Sequence, residues 1–335
     1  MKKRIIALSL YLANLSQVYG QPIEFGLQWD VEPEKSQKII EVIQKSGDFL
    51  GKINFVPVDN QHGETIGLDA TPVAGTTDTK DKDRKTTDPT GATANGYLCQ
   101  KVNFDTEMKY AKLDAWAHRK DFQQKIANLI IKSQALALLM MGFNGIERKP
   151  NSDIVANPLM QDVAEGWLQK IRNHAAKQVF KEAAVGSNKI TVGSGKDYEN
   201  LDALVVDAVS EFIEEQYRND EAMVVICNRK MLDSKIYPLV NGAKDTASET
   251  IAAEVIIGTR VIGGMVVHTP SYFPDNTMLI TKLSNLSIYE QIGTHRRLMV
   301  DNPKRDQIEN YESRNIDFVV EDYKAAVLIE NIKKA

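Results

Sequence analysis

The sequence predicts a protein of the α+β class, in which helical runs and strand runs occupy separate stretches of chain. Three observations carry that reading. Asp114–Met141 holds neither Pro nor Gly and reads as one long helix. Asp69–Gly96 is a polar excursion with a single β-branched aliphatic residue, Val73. Short apolar runs follow much later, at Ala222–Cys227, Met278–Lys282, Leu286–Tyr289 and Ile316–Val320, and these read as strands.

The N-terminal stretch Met1–Gly20 has a basic start and a short apolar run, the outline of a secretory signal. Asn14, Ser16 and Gln17 interrupt it, and no A-x-A cleavage pattern appears. Ile5, Leu8, Leu12, Leu15 and Tyr19 also keep helical spacing, as a detachable amphipathic arm does. Export and an amphipathic arm both stay open, with the spacing favouring the arm. Gly20–Asp30 is irregular. A helix follows over Pro33–Leu50, with Ile39, Val42, Ile43 and Phe49 as its apolar side, then strand-like runs at Ile53–Val58 and Thr65–Leu68.

Asp69–Gly96 lacks the apolar surface to fold alone. Tyr97–Lys109 then alternates, with Leu98, Lys101, Val102, Phe104 and Met108 among polar neighbours. Strands on both flanks of a polar tip describe an extended hairpin, a better account than a disordered linker. In the long helix, Phe122, Ile126, Leu129, Ile130, Ser133, Leu136, Ala137 and Met140 recur as one buried face, opposite Asp121, Lys125, Asn128 and Lys132. At about 1.5 Å per residue the helix would be roughly 40 Å long, with Gly142 as its stop.

Tyr198–Tyr217 carries a second amphipathic pattern through Leu201, Leu204, Val205, Ala208, Val209, Phe212 and Ile213. Ser248 can cap a helix through Glu254. Val261–Ile262 and Met265–Val267 read as a hairpin around Gly263 and Gly264.

The chain of 335 residues is long enough for two domains. With 41 basic and 45 acidic residues its net charge is −4, without the positive excess of a dedicated nucleic-acid binder. Two cysteines, Cys99 and Cys227, make neither a disulfide framework nor a metal set, and the five histidines are scattered. Nothing after residue 20 reads as long and apolar enough to cross a bilayer.

Val192-Gly193-Ser194-Gly195-Lys196 resembles the end of a phosphate-binding loop. Ile190 stands where that motif needs its first Gly, and Asp197 where it needs Ser or Thr, so a turn before a helix is the better account. No H-E-x-x-H or G-x-S-x-G occurs. Cys227 and Cys99 read as small apolar fillers. The acidic pairs Glu214-Glu215 and Glu321-Asp322 read as solvated faces or subunit contacts. The expectation is a non-enzyme with no catalytic, cofactor or metal residues.

The segment AKLDAWAHRKDFQQKIANLIIKSQALALLMMGFNGI (Ala111–Ile146) resembles the spine-helix region of the major capsid proteins of Peduovirus-type temperate phages. The resemblance continues in NPLMQDVAEGWLQKIRN (Asn157–Asn173), LDALVVDAV (Leu201–Val209), MLITKLSNLSIYEQIGTHRR (Met278–Arg297) and PKRDQIENYESRNIDFVVEDYKAA (Pro303–Ala326). SGDFLGKINFVPV (Ser46–Val58) and TTDT (Thr76–Thr79) match upstream. It runs from about Val31 to Ile332, while Ala175–Lys196 and Lys80–Ala94 carry no block of it.

That resemblance implies an HK97-like capsid fold. Residues 1–50 would be a processed N-terminal arm and 53–110 an extended loop. Residues 111–154 and 266–335 would form the peripheral domain with its spine helix and long sheet, and 155–265 the axial domain. It implies pentamers and hexamers that tile an icosahedral shell around double-stranded DNA, assembled in the bacterial cytoplasm and carried in the virion. The expected partners are a scaffold and maturation protease, a portal at one vertex, and DNA held without sequence preference. Membranes are not among them. The rival readings are an encapsulin-like shell of the same fold and an exported binding protein or enzyme.

Overall fold

The computed structural model describes residues 12–13, 16, 23–24, 26–70, 74, 76–81, 83–84, 86, 90–116, 122–241 and 260–334. In chain order, β1 (Gln28–Asp30), α1 (Pro33–Ser46) and β2 (Asn54–Val58) precede a hairpin of β3 (His62–Ala70) and β4 (Thr90–Leu98). Next come β5 (Gln100–Asn103), β6 (Thr106–Lys109), α2 (Tyr110–Trp116) and α3 (Phe122–Asn144). The middle holds α4 (Trp167–His174), β7 (Val179–Phe180), β8 (Ile190–Val192), α5 (Leu201–Phe212), α6 (Glu215–Arg218), β9 (Met223–Cys227) and α7 (Arg229–Asn241). The last third is β10 (Val261–Ile262), β11 (Met265–His268), β12 (Met278–Lys282), β13 (Leu286–Gln291), β14 (Arg296–Asn302), β15 (Gln307–Val320), β16 (Ala326–Ile329) and β17 (Ile332–Lys334).

The fourteen-residue β15 is the axis of the first sheet. Among the described residues this sheet has seven strands, and they fall on four lines. β5 and β6 share one edge of β15, while β13 and β14 share the other. Beyond these, β2 runs parallel to β13 and β1 antiparallel to β14. Between the pairs Glu290↔Ile316 and Arg296↔Ser313 one line advances six residues and the other three. The surplus bulges out around Gly293, whose φ of +74° suits glycine.

The second sheet runs β10-β11-β9-β12-β16-β7. Successive residues of its central strands point to different cores. Val224, Ile226, Leu279 and Leu328 face the core shared with the first sheet, α1, α3 and α4. Met223, Val225, Cys227, Ile280, Val327 and Ile329 face a second core closed by α5 through Leu201, Leu204, Val205 and Ala208. This is why Ala222–Cys227 is apolar without alternation: both of its faces are covered.

Around Trp167 the shared core is aromatic. Its ring lies 5.2 Å from Phe143 and 5.1 Å from Phe318, and its indole N–H donates to the Ser287 carbonyl at 2.9 Å. Such ring pairs add about 0.5–1.5 kcal/mol each beyond area burial.

Several expectations are corrected. Gly142 does not stop α3, which runs on to Asn144. A Cβ at Gly142 would meet the Trp167 ring at 2.3 Å, so the glycine is there for close packing. Gly145 follows as the cap, its N–H donating to the Met141 carbonyl at 2.8 Å. Residues 117–121, which would join α2 to α3 as one helix, lie outside the described residues.

The buried face of α3 is also not the expected one. Gln134, Ala135, Leu138, Leu139, Met141 and Phe143 are buried, whereas Leu129 is 68% exposed and Ser133 is exposed. Ile126, Ile130, Leu136, Ala137 and Met140 are only half-buried. The helix is apolar on more than one side, so periodicity selected a stripe that is only partly covered. For the same reason Gln124–Asn144 is long and apolar enough, by length and composition, to cross a membrane, contrary to the sequence reading. Its packing in the shared core is that of a core helix.

On α1, Val42 is exposed while Ser36, Ile40 and Ile43 are buried, and the helix ends at Ser46. The hairpin is real but longer than expected: β3 and β4 pair from His62↔Leu98 to Ala70↔Thr90. Tyr97–Lys109 is not one strand; after Leu98 it continues as β5 and β6 along β15. The stretch 266–335, expected as one long sheet, is divided. β13–β15 build the first sheet, β11, β12 and β16 join the second, and β17 pairs with β8. The irregular Gly20–Asp30 contains β1, and the helix expected at Ser248–Glu254 lies outside the described residues.

Candidate assembly surfaces

The densest polar grouping lies where β13 and β14 part. Charged residues at alternate positions of β15, Glu312 and Arg314, share one face and meet Glu290 of β13, Arg297 of β14 and Ser36 of α1. All five are buried, as is His295 in the bulge at 2% exposure. His295 Nε2 lies 2.9 Å from Glu312 Oε1, and its Nδ1 lies 3.0 Å from the Ser36 hydroxyl. That hydroxyl is 3.2 Å from Glu290 Oε1. Arg297 and Arg314 approach Glu312 at 3.4 Å, and Arg314 lies 3.7 Å from Glu290 and donates to Gln134 of α3.

Burial pushes the Glu290 carboxyl up, against the pull of Arg314. It also pushes the His295 imidazole down, towards its neutral form. Burial alone would raise Glu312, but Arg297, His295 and Arg314 together hold it well below the carboxylate range. A neutral imidazole that donates from Nε2 to Glu312 accepts at Nδ1, so Ser36 donates to it. The Ser36 hydroxyl also lies within donating distance of Glu290 Oε1, so its one proton serves two acceptors, His295 Nδ1 and Glu290. The cluster ties α1, α3 and three strands together, and no member is accessible enough to act on a substrate.

A second buried pair anchors the hairpin. Both Asp317 oxygens lie 2.7 Å from Lys170 Nζ, and one accepts the Leu98 N–H at 2.9 Å. The Tyr97 ring packs tilted against Tyr289 at 5.0 Å, and the Cys99 N–H donates to the Gln61 carbonyl at 2.7 Å. Beyond this base the core clusters draw nothing from Asp59–Glu64 or Gly96.

The arm meets the body at a small core of its own. Ile23 and Val31 pack with Tyr110 and Leu113 of α2, Met299 and Ile308, and Leu12 and Ile126 flank them. The Ser16 hydroxyl accepts the Ile23 N–H at 3.0 Å. Leu12 is one of the residues whose helical spacing marked the arm; Ile5, Leu8, Leu15 and Tyr19 lie outside the described residues.

Residues singled out for chemistry are dispersed. Cys227 is in the middle sheet and Cys99 at the hairpin base, and burial pushes both thiols up to about 12. Val192–Lys196 makes a turn after β8, with the Gly193 N–H donating to the Tyr198 carbonyl. Glu321 and Asp322 are not a solvated face. Glu321 accepts from the Ser287 and Tyr289 hydroxyls, and Asp322 from Tyr217 and the Lys324 N–H. The buried charge cluster was missed, although the opposite charges at i, i+2 in Glu312 and Arg314 were a signal.

A long shared sheet beside a long helix, a protruding hairpin and an N-terminal arm together define a shell-forming capsid subunit of HK97-like fold. Comparison with known proteins agrees. The model for the family described as phage major capsid protein, P2 family, matches residues 7–332, and the chain belongs to that family. It is 45% identical to the capsid protein of Escherichia phage P2 over 331 residues, covering 96% of this chain and 92% of that one. It is 34% identical to the major capsid protein of Serratia phage KSP20, covering 96% and 93%. A chain of the satellite phage P4 procapsid that includes the size determination protein superposes with a TM-score of 0.84 at 44% identity, covering 96% of each. The family match begins at residue 7 rather than about Val31, so the arm is part of the family sequence.

The protein is therefore a major capsid protein that self-assembles into an icosahedral shell enclosing phage DNA. Both rival readings, an encapsulin-like shell and an exported binding protein or enzyme, give way to this one.

Proposed function

We propose that this capsid protein serves a temperate, contractile-tailed phage of the Peduovirus type and acts structurally, not catalytically. The 45% identity to the phage P2 protein across nearly both full lengths is the observation that carries this reading. The body with the first sheet and α3 serves as the peripheral domain, and the region around the second sheet and α5 as the axial domain at the capsomer centre. Pentamers and hexamers of it close around the DNA in the bacterial cytoplasm, with a scaffold and maturation protease inside and a portal at one vertex.

The arm is a processed segment, cut between Phe25 and Val31. Supporting this, β1 is a three-residue edge strand paired only to β14, and Leu27 beside it is 60% exposed. A protease reads an extended segment of this kind by adding it to its own sheet. Intact-mass analysis of subunits from mature particles is the test. Chains beginning between residues 26 and 31 are expected. Full-length chains would rule processing out, and a start at residue 20 or 21 would indicate a signal peptidase instead.

A further inference from the structure

We propose that the small sheet of β8 and β17, with the turns flanking β8, is the surface through which each subunit meets the phosphates of packaged duplex DNA. The chain as a whole is acidic, so a local field of lysines stands out. Lys181, Lys189, Lys196, Lys333 and Lys334 are all exposed and come from three separate stretches of sequence.

The topology gathers them. β17 pairs in parallel with β8, setting Lys333 beside Thr191 and Lys334 beside Val192. Asn331, just before β17, donates to the Lys181 carbonyl and to Asn188. Lys196 sits on the turn after β8, its N–H bonded to the Gly193 carbonyl.

Glu182, Asp197 and the exposed Glu199 also lie along this stretch, and the first two brace its turns. Glu182 accepts the Gly186 and Asn188 N–H groups, and Asp197 accepts the Thr191 N–H and hydroxyl. These hydrogen bonds hold both carboxyls below their usual range. They brace the turns that present the lysines outward.

Phosphate is the chemistry that suits this surface. Lysine ammonium groups act as point charges without the planar fork that reads a base edge or a carboxylate. Several gathered on one small sheet and its turns neutralise phosphates irrespective of sequence, which a shell around a whole genome needs. An acidic protein segment is the competing partner, and the salt dependence measured below separates the two.

Two experiments test it on the full chain. In the first, lysine amines are acetylated in DNA-filled and in empty particles and quantified by mass spectrometry. Lys189, Lys196 and Lys333 are expected to be protected in filled particles alone; equal reactivity in both overturns the proposal. In the second, the triple variant Lys189→Gln, Lys196→Gln, Lys333→Gln is compared with the parent and with the triple Arg variant. Binding of dispersed subunits to a mixed-sequence duplex is followed across salt concentrations. The Gln variant should still form shells and lose about 3 from the slope of log K against log salt, at about 0.9 per phosphate contact. The Arg variant should keep the parental slope. An unchanged slope in the Gln variant, or loss of shells with DNA binding intact, would assign the lysines to subunit contacts and overturn the proposal.

Discussion

At the scale of single residues, the buried cluster and the glycine contacts set the strongest constraints. The sign of the His295 effect follows from its environment. The unfolded imidazole protonates near pH 6.5, whereas burial lowers that value in the native chain. Above about pH 6.5 its contribution to stability is therefore complete, and it drains away as pH falls towards the native value. His268, lowered by partial burial and Lys52, acts in the same direction. Urea unfolding of dispersed subunits at pH 7.5 and 5.5 should show a loss of stability that His295→Gln reduces but does not abolish. A parental pH dependence in that variant would show that the imidazole is not the group responsible. Gly142→Ala should cost about 1–3 kcal/mol by forcing the Trp167 ring aside, measured by the same unfolding. The sequence announced Gly142 as a helix end, because a glycine looks alike whether it caps a helix or admits an indole.

At the scale of elements, the hairpin is the part with least stake in its own subunit. Deleting Lys80–Ala94 removes the tip and the β4 residues that pair with Ile66–Ala70, yet leaves the Lys170–Asp317 and Tyr97–Tyr289 anchors in place. The shortened chain should keep native circular dichroism while shell yield, counted by electron microscopy, collapses. Loss of the folded subunit would instead place the tip in the intrachain core. How legible each element was depended on its surroundings. The middle strand and α5 were clear because their faces are wholly buried or cleanly amphipathic. Thr90–Gly96 was not, since Thr, Gly and Ala show no alternation and the strand is defined by its partner across the hairpin. The face of α3 misled because periodicity cannot say which of two apolar stripes meets the chain's own core. β15 was read only over Ile316–Val320, because Glu312 and Arg314 disguise a buried strand as a polar one.

At the scale of the molecule, two features are incomplete in a lone subunit: the hairpin, and α3 at Leu129, which is 68% exposed. Expressed with its scaffold, the protein should sediment as closed shells. A single 37.5 kDa species under shell-forming conditions would contradict that expectation. The capsid class was legible from collinear blocks along the chain, and the division of the last seventy residues between two sheets was not, because strand periodicity carries no address.

That division also governs the order of events during synthesis. The chain visits the second sheet at β7 and β9–β12, leaves for β13–β15, and returns at β16. The first sheet lacks its central strand β15, and the second its strand β16, until the ribosome has made nearly the whole protein. Pairings of this kind join residues far apart in sequence and form slowly. A nascent chain therefore completes neither sheet, and no surface built on both, before β16 has been made.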